Sequence, residues 1–246
     1  MESEIFLKRM SRDNIHSNLT DNMEKLFLKF IIFLLAVTPG VTNAQNFANE
    51  IADFNKADSI AFPFLNQPPI VFVGSSSFRR WENVQASFPG YPIINRGFGG
   101  SVLADVIRYR EEVIFRYHPK QVVIYCGEND LASDDSVTAK KVLNSFKELF
   151  GMIRNKLPQA AIAFISIKPS PSRRNIQLKV IEANALIKNF MEHKTRAAFI
   201  DVYHPMLNKN GTIKNEIFTS DSLHMNAKGY VIWQKKIKPF LLSKSK

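Results

Sequence analysis

The chain has 246 residues, 45% of them hydrophobic, with 12 prolines, 10 glycines, one cysteine and a formal net charge of +11. That length builds one sizeable core and is short for two. The lone Cys126 excludes an internal disulfide framework and a Cys-rich zinc site. The positive charge comes with no arginine-rich run and no aromatic RNA-binding motif, so nucleic acid is not an expected partner.

The N-terminus reads as an export signal. Met23-Glu-Lys opens a short stretch carrying Lys25 and Lys29, "FIIFLLAV" (Phe30–Val37) is continuously apolar, and "TPGVTNA" breaks the run before small residues. This layout predicts a start at Met23, cleavage after Ala44 and a secreted or periplasmic protein. The eight apolar residues are too few to cross a bilayer as a helix. No cysteine stands near the cut, so no stable membrane anchor is expected. The expected organisation is therefore a leader and signal over 1–44 and one domain over 45–246.

Residues 45–69 read as a polar lead-in arm. "IVFV" (70–73) is wholly apolar, as a strand covered on both faces should be, and it runs into Gly74-Ser75-Ser76-Ser77. "YPIIN" (91–95) is a second strand, followed by "NRGFGGS" (Asn95–Ser101). Val102, Val106, Tyr109, Val113 and Tyr117 fall at helical spacing and predict a helix over 102–117. "QVVIYC" (121–126) is strand three, and "GEND" (Gly127–Asp130) follows it.

A helix over roughly 137–157 buries Val142, Phe146, Leu149 and Ile153, and Pro158 follows its end. "AIAFISI" (161–167) is strand four. Ile176, Val180, Ala183, Ile187 and Phe190 mark a further helix. "AAFIDVY" (197–203) is strand five, and a last helix begins near Asn226. Residues 222–246 hold six lysines and no acid, which suits a solvated terminal helix. Five strands alternating with helices predict a three-layer α/β/α domain around a mainly parallel five-stranded sheet.

Ligands of such a sheet bind beyond the carboxyl ends of its strands. Three of the polar segments stand there, and "DSLH" (Asp221–His224) stands just before the last helix. Together they offer the parts of an acyl-transfer site. A serine hydroxyl needs a base, a histidine can be that base, and a carboxylate holds the histidine in one tautomer. Asp221 precedes His224 by three residues, so one turn can aim both side chains together. Gly99 and Gly100 offer backbone N–H groups and Asn129 a side-chain amide for a developing oxyanion. Each string alone is weak: Gly-Ser-Ser-Ser also suits a turn and Asp-x-x-His a helix cap. Any of Ser75, Ser76 and Ser77 could be the nucleophile on this reading.

The set resembles the SGNH (GDSL-type) hydrolase family, over about residues 68–241. In that family the serine is third in a Gly-Asp-Ser block, which maps onto Ser76. Gly100 matches the glycine of the second block, with Gly97 and Gly99 shaping the turn. Gly-x-Asn-Asp gives Asn129, and Asp-x-x-His gives Asp221 and His224. The resemblance implies the family's flavodoxin-like fold, a Ser76–His224–Asp221 triad, and an oxyanion hole from the N–H of Ser76, the N–H of Gly100 and the Asn129 amide. It implies no metal and no organic cofactor. One departure is clear: the Asp of the first block is Ser75 here, which changes local support rather than the nucleophile.

The implied activity is hydrolysis of carboxylic esters. The short spacing between blocks leaves no long lid, which favours a short acyl group, acetyl above all, on a carbohydrate or similar small alcohol. A lysophospholipase or arylesterase-type acylhydrolase is the alternative enzyme, and a sugar or lipid binder without catalysis is the alternative of another class. Of the remaining polar residues, Cys126 reads as a small buried thiol. His118 and His193 read as helix caps, and His204 as a loop residue. Arg79, Arg80 and Arg96 read as partners of carboxylates such as Glu82 and Asp130, and Trp81 as core.

Overall fold

The computed structural model describes residues 41–61 and 67–242. The chain divides into two units, Met1–Ala48 and Asn49–Lys246. The second carries the sheet, and every side-chain contact described below lies within it. The expected start at Met23 and the apolar run Phe30–Val37 lie outside the described residues.

Helix α1 (Val41–Ala61) occupies most of what reads in sequence as an irregular arm. Its hydrophobic signal is weak, and one of its buried residues is acidic. Ile51 and Asp58 are both buried, and Asp58 pairs with Arg96 and accepts the hydroxyl of Tyr117 at 2.6 Å. An acid at that position reads as solvent-facing until its partners are seen.

Five strands follow: β1 (Ile70–Gly74), β2 (Ile93–Gly97), β3 (Gln121–Tyr125), β4 (Ala161–Ile165) and β5 (Ala197–Ile200). They lie in the order β2-β1-β3-β4-β5, every pair parallel. The α/β class and the parallel sheet expected from the sequence are what the chain forms. Successive side chains point to opposite faces. Ile70, Phe72, Val123, Tyr125 and Ile165 enter one core with Trp233 and Ile237 of α7 (Ala227–Ile237). On the other face Phe164 meets Phe146 of α5 (Ala139–Lys156), with ring centroids 4.6 Å apart. Phe190 of α6 (Gln177–Glu192) packs on Phe146 as well. Each fully buried Val, Ile or Phe on these faces contributes about 1.5–3 kcal/mol of hydrophobic stabilisation.

Helices α5 and α7 each begin at a capping side chain. Thr138 accepts the Lys141 N–H, and Asn226 accepts those of Lys228 and Gly229. The expected helix over 102–117 is instead broken. It becomes α3 (Leu103–Arg108), a turn at Arg110–Val113 and a 3-10 turn at Phe115–Tyr117. Its apolar residues still face inward, but the chain bends at Tyr109 and Ile114 and brings Tyr117 to Arg96 and Asp58. Strand β2 starts two residues later than expected, and β5 ends at Ile200, where Asp201 begins a turn to His204.

The order of the strands reverses between β1 and β3, one leading to each side of the sheet. That switch point is where such sheets bind ligands, and the candidate residues stand beside it.

Candidate active site

Ser76 opens a one-turn helix, α2 (Ser76–Arg79), directly after β1. The change of direction depends on Gly74, at φ +136°, where a Cβ would come within 1.9 Å of the Tyr125 carbonyl oxygen. The next loop packs as closely. A Cβ on Gly97 would stand 2.5 Å from that of Phe78, and the Phe98 N–H bonds the Gly74 carbonyl at 2.9 Å. Behind α2, Phe78 meets Trp233 edge to face and Trp233 meets Tyr125 at 4.7 Å. Such pairs add about 0.5–1.5 kcal/mol each beyond burial, so the serine stands on a rigid base.

Of the three serines, only Ser76 reaches the histidine. Its Oγ lies 3.0 Å from His224 Nε2. Ser75 and Ser77 are buried and make no bond to His224. His224 Nδ1 lies 2.6 Å from Asp221 Oδ2. A carboxylate can only accept, so Nδ1 carries the proton and Nε2 is left to accept from the serine hydroxyl. The other carboxylate oxygen accepts the N–H groups of Leu223 and His224, both at 2.9 Å, and the Thr219 hydroxyl at 2.8 Å. Desolvation opposes ionisation of Asp221, but the bonds from the His224 N–H and ring, Leu223 and Thr219 outweigh it and hold its carboxyl well below the usual range. The turn is tight enough to place Ser222 at φ +55°, a left-handed conformation uncommon for a residue with a side chain.

Among the described residues the N–H groups of Ser76 and Gly100 make no hydrogen bond. Asn129 lies in α4 (Glu128–Ser133), just after β3. Its amide nitrogen donates to the Ser101 carbonyl at 3.0 Å, which ties it to the loop carrying Gly100 and leaves its second hydrogen without a partner. The structure thus joins Ser76, His224 and Asp221 in one hydrogen-bonded line and joins Asn129 to the Gly100 loop. That arrangement can activate a hydroxyl and offer donors to an oxyanion.

Several supporting residues carry no signal in the sequence. Glu128 is buried and accepts from Lys168 at 2.7 Å, from the Tyr125 hydroxyl at 2.8 Å and from Ser170. Burial raises the cost of its charge, but Lys168 and Arg173 overcome it and hold the Glu128 carboxyl below its ordinary value. Burial pushes the Lys168 ammonium down while Glu128 opposes the shift. Arg173 donates to the side-chain oxygen of Asn129 at 2.9 Å. Glu50 of α1 accepts the Gly99 N–H at 3.0 Å and stands 3.4 Å from Arg79. A polar residue that serves another polar residue far along the chain has no local pattern to betray it.

The arginines expected to pair with Glu82 and Asp130 have other partners. Arg79 faces Glu50, Arg80 stands 3.8 Å from Asp221, and Arg96 pairs with Asp58. Asp130 instead accepts the Leu103 N–H at 3.0 Å, and burial pushes its carboxyl up to about 6. Cys126 is buried and burial pushes its thiol well up, which makes it an inert core residue. Trp81 is buried among Phe88, Tyr230 and Trp233. His118 ends the Phe115–Tyr117 turn in a left-handed conformation, and His193 bonds the Asn189 carbonyl at the end of α6.

Two hollows frame this picture. A groove of about 460 Å³ beside His224 is lined by Arg80, Trp81, Met225 and Tyr230 among others. A cavity of about 730 Å³ at the β5 edge, lined in part by Phe199, Tyr203, His204, Leu207 and Phe240, shares no residue with the four polar segments. His204 bonds Asp201 at 2.8 Å in the same three-residue spacing as His224 and Asp221, but its other ring nitrogen meets no serine. Among the described residues no cluster of His, Cys, Asp and Glu could hold a metal ion.

Comparison with known proteins gives the family and the fold. The sequence model of the GDSL-like lipase/acylhydrolase family matches residues 58–232. The chain is 25% identical to human platelet-activating factor acetylhydrolase IB subunit alpha1 over 169 residues, 67% of this chain and 71% of that one. A GDSL-like lipase from Bacteroides thetaiotaomicron superposes with a TM-score of 0.63 at 23% identity, covering 77% of this chain and 97% of the other. A catalytic mutant of an acetylxylan esterase from Geobacillus stearothermophilus superposes with a TM-score of 0.58 at 15% identity, covering 73% and 97%. The two structures share the fold.

Proposed function

The chain belongs to the GDSL-like lipase/acylhydrolase family and is a carboxylic ester hydrolase, and from that premise we propose that Ser76 is its nucleophile and that it removes short acyl groups, acetyl above all, from a carbohydrate or similar small alcohol. The observation that carries the reading is the line from Ser76 Oγ to His224 Nε2 and from Nδ1 to Asp221, at 3.0 and 2.6 Å.

In the proposed mechanism His224 takes the hydroxyl proton as Ser76 Oγ attacks the ester carbonyl. Asp221 holds the ring in one tautomer and stabilises its cation. The carbonyl oxygen gains a negative charge and takes hydrogen bonds from the N–H of Ser76, the N–H of Gly100 and the Asn129 amide. His224 then gives its proton to the leaving alcohol. A water, deprotonated by His224, attacks the acyl-serine, and the acid leaves as Oγ recovers its proton. Each step balances without a cofactor.

The short-acyl reading rests on the short connections between the first three segments and on relatives named as an acetylhydrolase and an acetylxylan esterase. The sequence of Met23–Ala44 supports export, so the substrate is proposed to lie outside the cytoplasm; N-terminal sequencing of the protein from its native cell tests this by the expected cut after Ala44. Labelling of Ser76 by a fluorophosphonate separates an enzyme from a binder. A panel of esters from acetyl to palmitoyl, with acetylated oligosaccharides and a lysophospholipid, tests the substrate class. Preference for palmitoyl or lysophospholipid esters would reject the short-acyl reading.

A further inference from the structure

We propose that Arg173 is a positioning residue for ester hydrolysis, fixing the Asn129 amide so that its free N–H faces the oxyanion; this rests on the reading of Asn129 as an oxyanion donor. An asparagine amide has two nearly isosteric ends. With N–H outward it stabilises an oxyanion, and rotated by half a turn it presents an acceptor and repels one. The two partners of Asn129 remove that ambiguity. Arg173 is a donor only and stands 2.9 Å from Oδ1; the Ser101 carbonyl is an acceptor only and stands 3.0 Å from Nδ2. A donor and an acceptor clamp the amide in one sense, and the remaining hydrogen is the one left for substrate.

Arg173 is itself held at both ends of its reach. Its guanidinium lies 3.7 Å from Glu128, a buried carboxylate already bonded to Lys168, Ser170 and Tyr125. Glu128 adjoins Asn129 in sequence, so the charge that attracts Arg173 sits in the same turn as the amide that it orients. The backbone beside Arg173 also touches the histidine loop: the Ser172 N–H donates to the Ser222 carbonyl at 3.0 Å. The Pro171–Ile176 segment therefore meets the oxyanion donor on one side and the Asp221–His224 turn on the other. Its backbone leaves helical geometry at Arg173, with φ −122° and ψ 33°, where the side chain turns to Asn129.

The test is a double-mutant cycle on the full chain with p-nitrophenyl acetate, comparing Arg173→Met, Arg173→Lys, Asn129→Ala and Arg173→Met with Asn129→Ala. Misplacing a donor costs less than deleting one, so Arg173→Met should lower kcat about tenfold and leave KM within about twofold. Arg173→Lys, which keeps a charged donor, should recover most of the loss. In the Asn129→Ala background the loss should vanish, because the amide through which Arg173 acts is gone. An equal loss in both backgrounds, or a change confined to KM, overturns the proposal. Full activity in Asn129→Ala alone would instead overturn the oxyanion reading on which the proposal rests. Melting curves show whether each variant folds; should Arg173→Met fail to fold, Arg173→Gln carries the same cycle and must lose its effect in the same background.

Discussion

Ser76 Oγ and His224 Nε2 stand 3.0 Å apart although 148 positions separate them in the chain. The hydroxyl comes from the turn after β1 and the imidazole from the loop before α7. Those two elements are locked by shared core contacts and by the Tyr230 hydroxyl, which donates to the Ser77 carbonyl at 2.9 Å. Removal of either side chain should abolish the chemistry and spare the fold. Ser76→Ala and His224→Ala are each expected to lower kcat on the order of a million-fold, by analogy with serine proteases. Steady-state hydrolysis of an acetyl ester, with melting curves as the control for folding, measures this.

Asp221→Asn should act through the ring of His224. The amide no longer enforces one tautomer and no longer balances an imidazolium, so kcat should fall about 10⁴-fold, as the equivalent change does in a serine protease. The native carboxyl lies below its unfolded value of 3.8, so its ionised form is favoured by folding. That contribution is complete above the unfolded value and is lost only as pH falls through the lower folded value. Between pH 4 and 8 the Asp221→Asn defect in kcat should therefore show no onset from titration of Asp221, which a pH-rate comparison with wild type reads.

Asp130 should give the opposite trend. Burial pushes its folded carboxyl up to about 6, from 3.8, so the fold disfavours its charge. The folded state binds the extra proton between those values, and this group destabilises progressively as pH rises through that window. Asp130→Asn keeps an acceptor for the Leu103 N–H and removes the charge. Its Tm relative to wild type should be higher at pH 8 than at pH 4, and an unchanged difference would reject the buried-charge account.

Glu128 and Lys168 are both buried and stand 2.7 Å apart. Loss of one partner leaves the other charged and uncompensated, which costs about 3–5 kcal/mol. Glu128→Ala and Lys168→Met should each destabilise by that amount in urea unfolding. Glu128→Gln combined with Lys168→Met should recover part of it, since the Lys168–Glu128 pair is then removed as a unit while Arg173, 3.7 Å from Glu128, still loses its carboxylate.

The pattern of what the sequence reveals follows from how far each residue acts. Apolar strands such as Ile70–Val73 and the start of the last helix near Asn226 are local and legible. The site is legible through its short strings, yet the strings alone mislead. Asp201-x-x-His204 builds the same bonded pair as Asp221-x-x-His224, and only the surroundings tell them apart: one imidazole faces Ser76 and the other faces solvent. The pairing of Glu128 with Lys168, 40 positions apart, and of Asn129 with Arg173, 44 apart, leaves no trace, because Lys168 and Arg173 are ordinary polar residues until the fold brings them to the Gly127–Asp130 string. The broken helix over 102–117 was hidden for the same reason, since its period is correct and the partners of Tyr117, Asp58 and Arg96, lie far along the chain.

Glu50 lies eight residues before the stretch that matches the family, which begins at residue 58. It nonetheless grips the Gly99 N–H, one peptide away from Gly100. A shortened protein trimmed to the family boundary would keep its sheet and all three residues of the bonded line while losing this outside anchor. Two versions of the enzyme that differ only in where they begin are then expected to differ in turnover, because trimming by homology removes the side chain that holds the loop carrying Gly100.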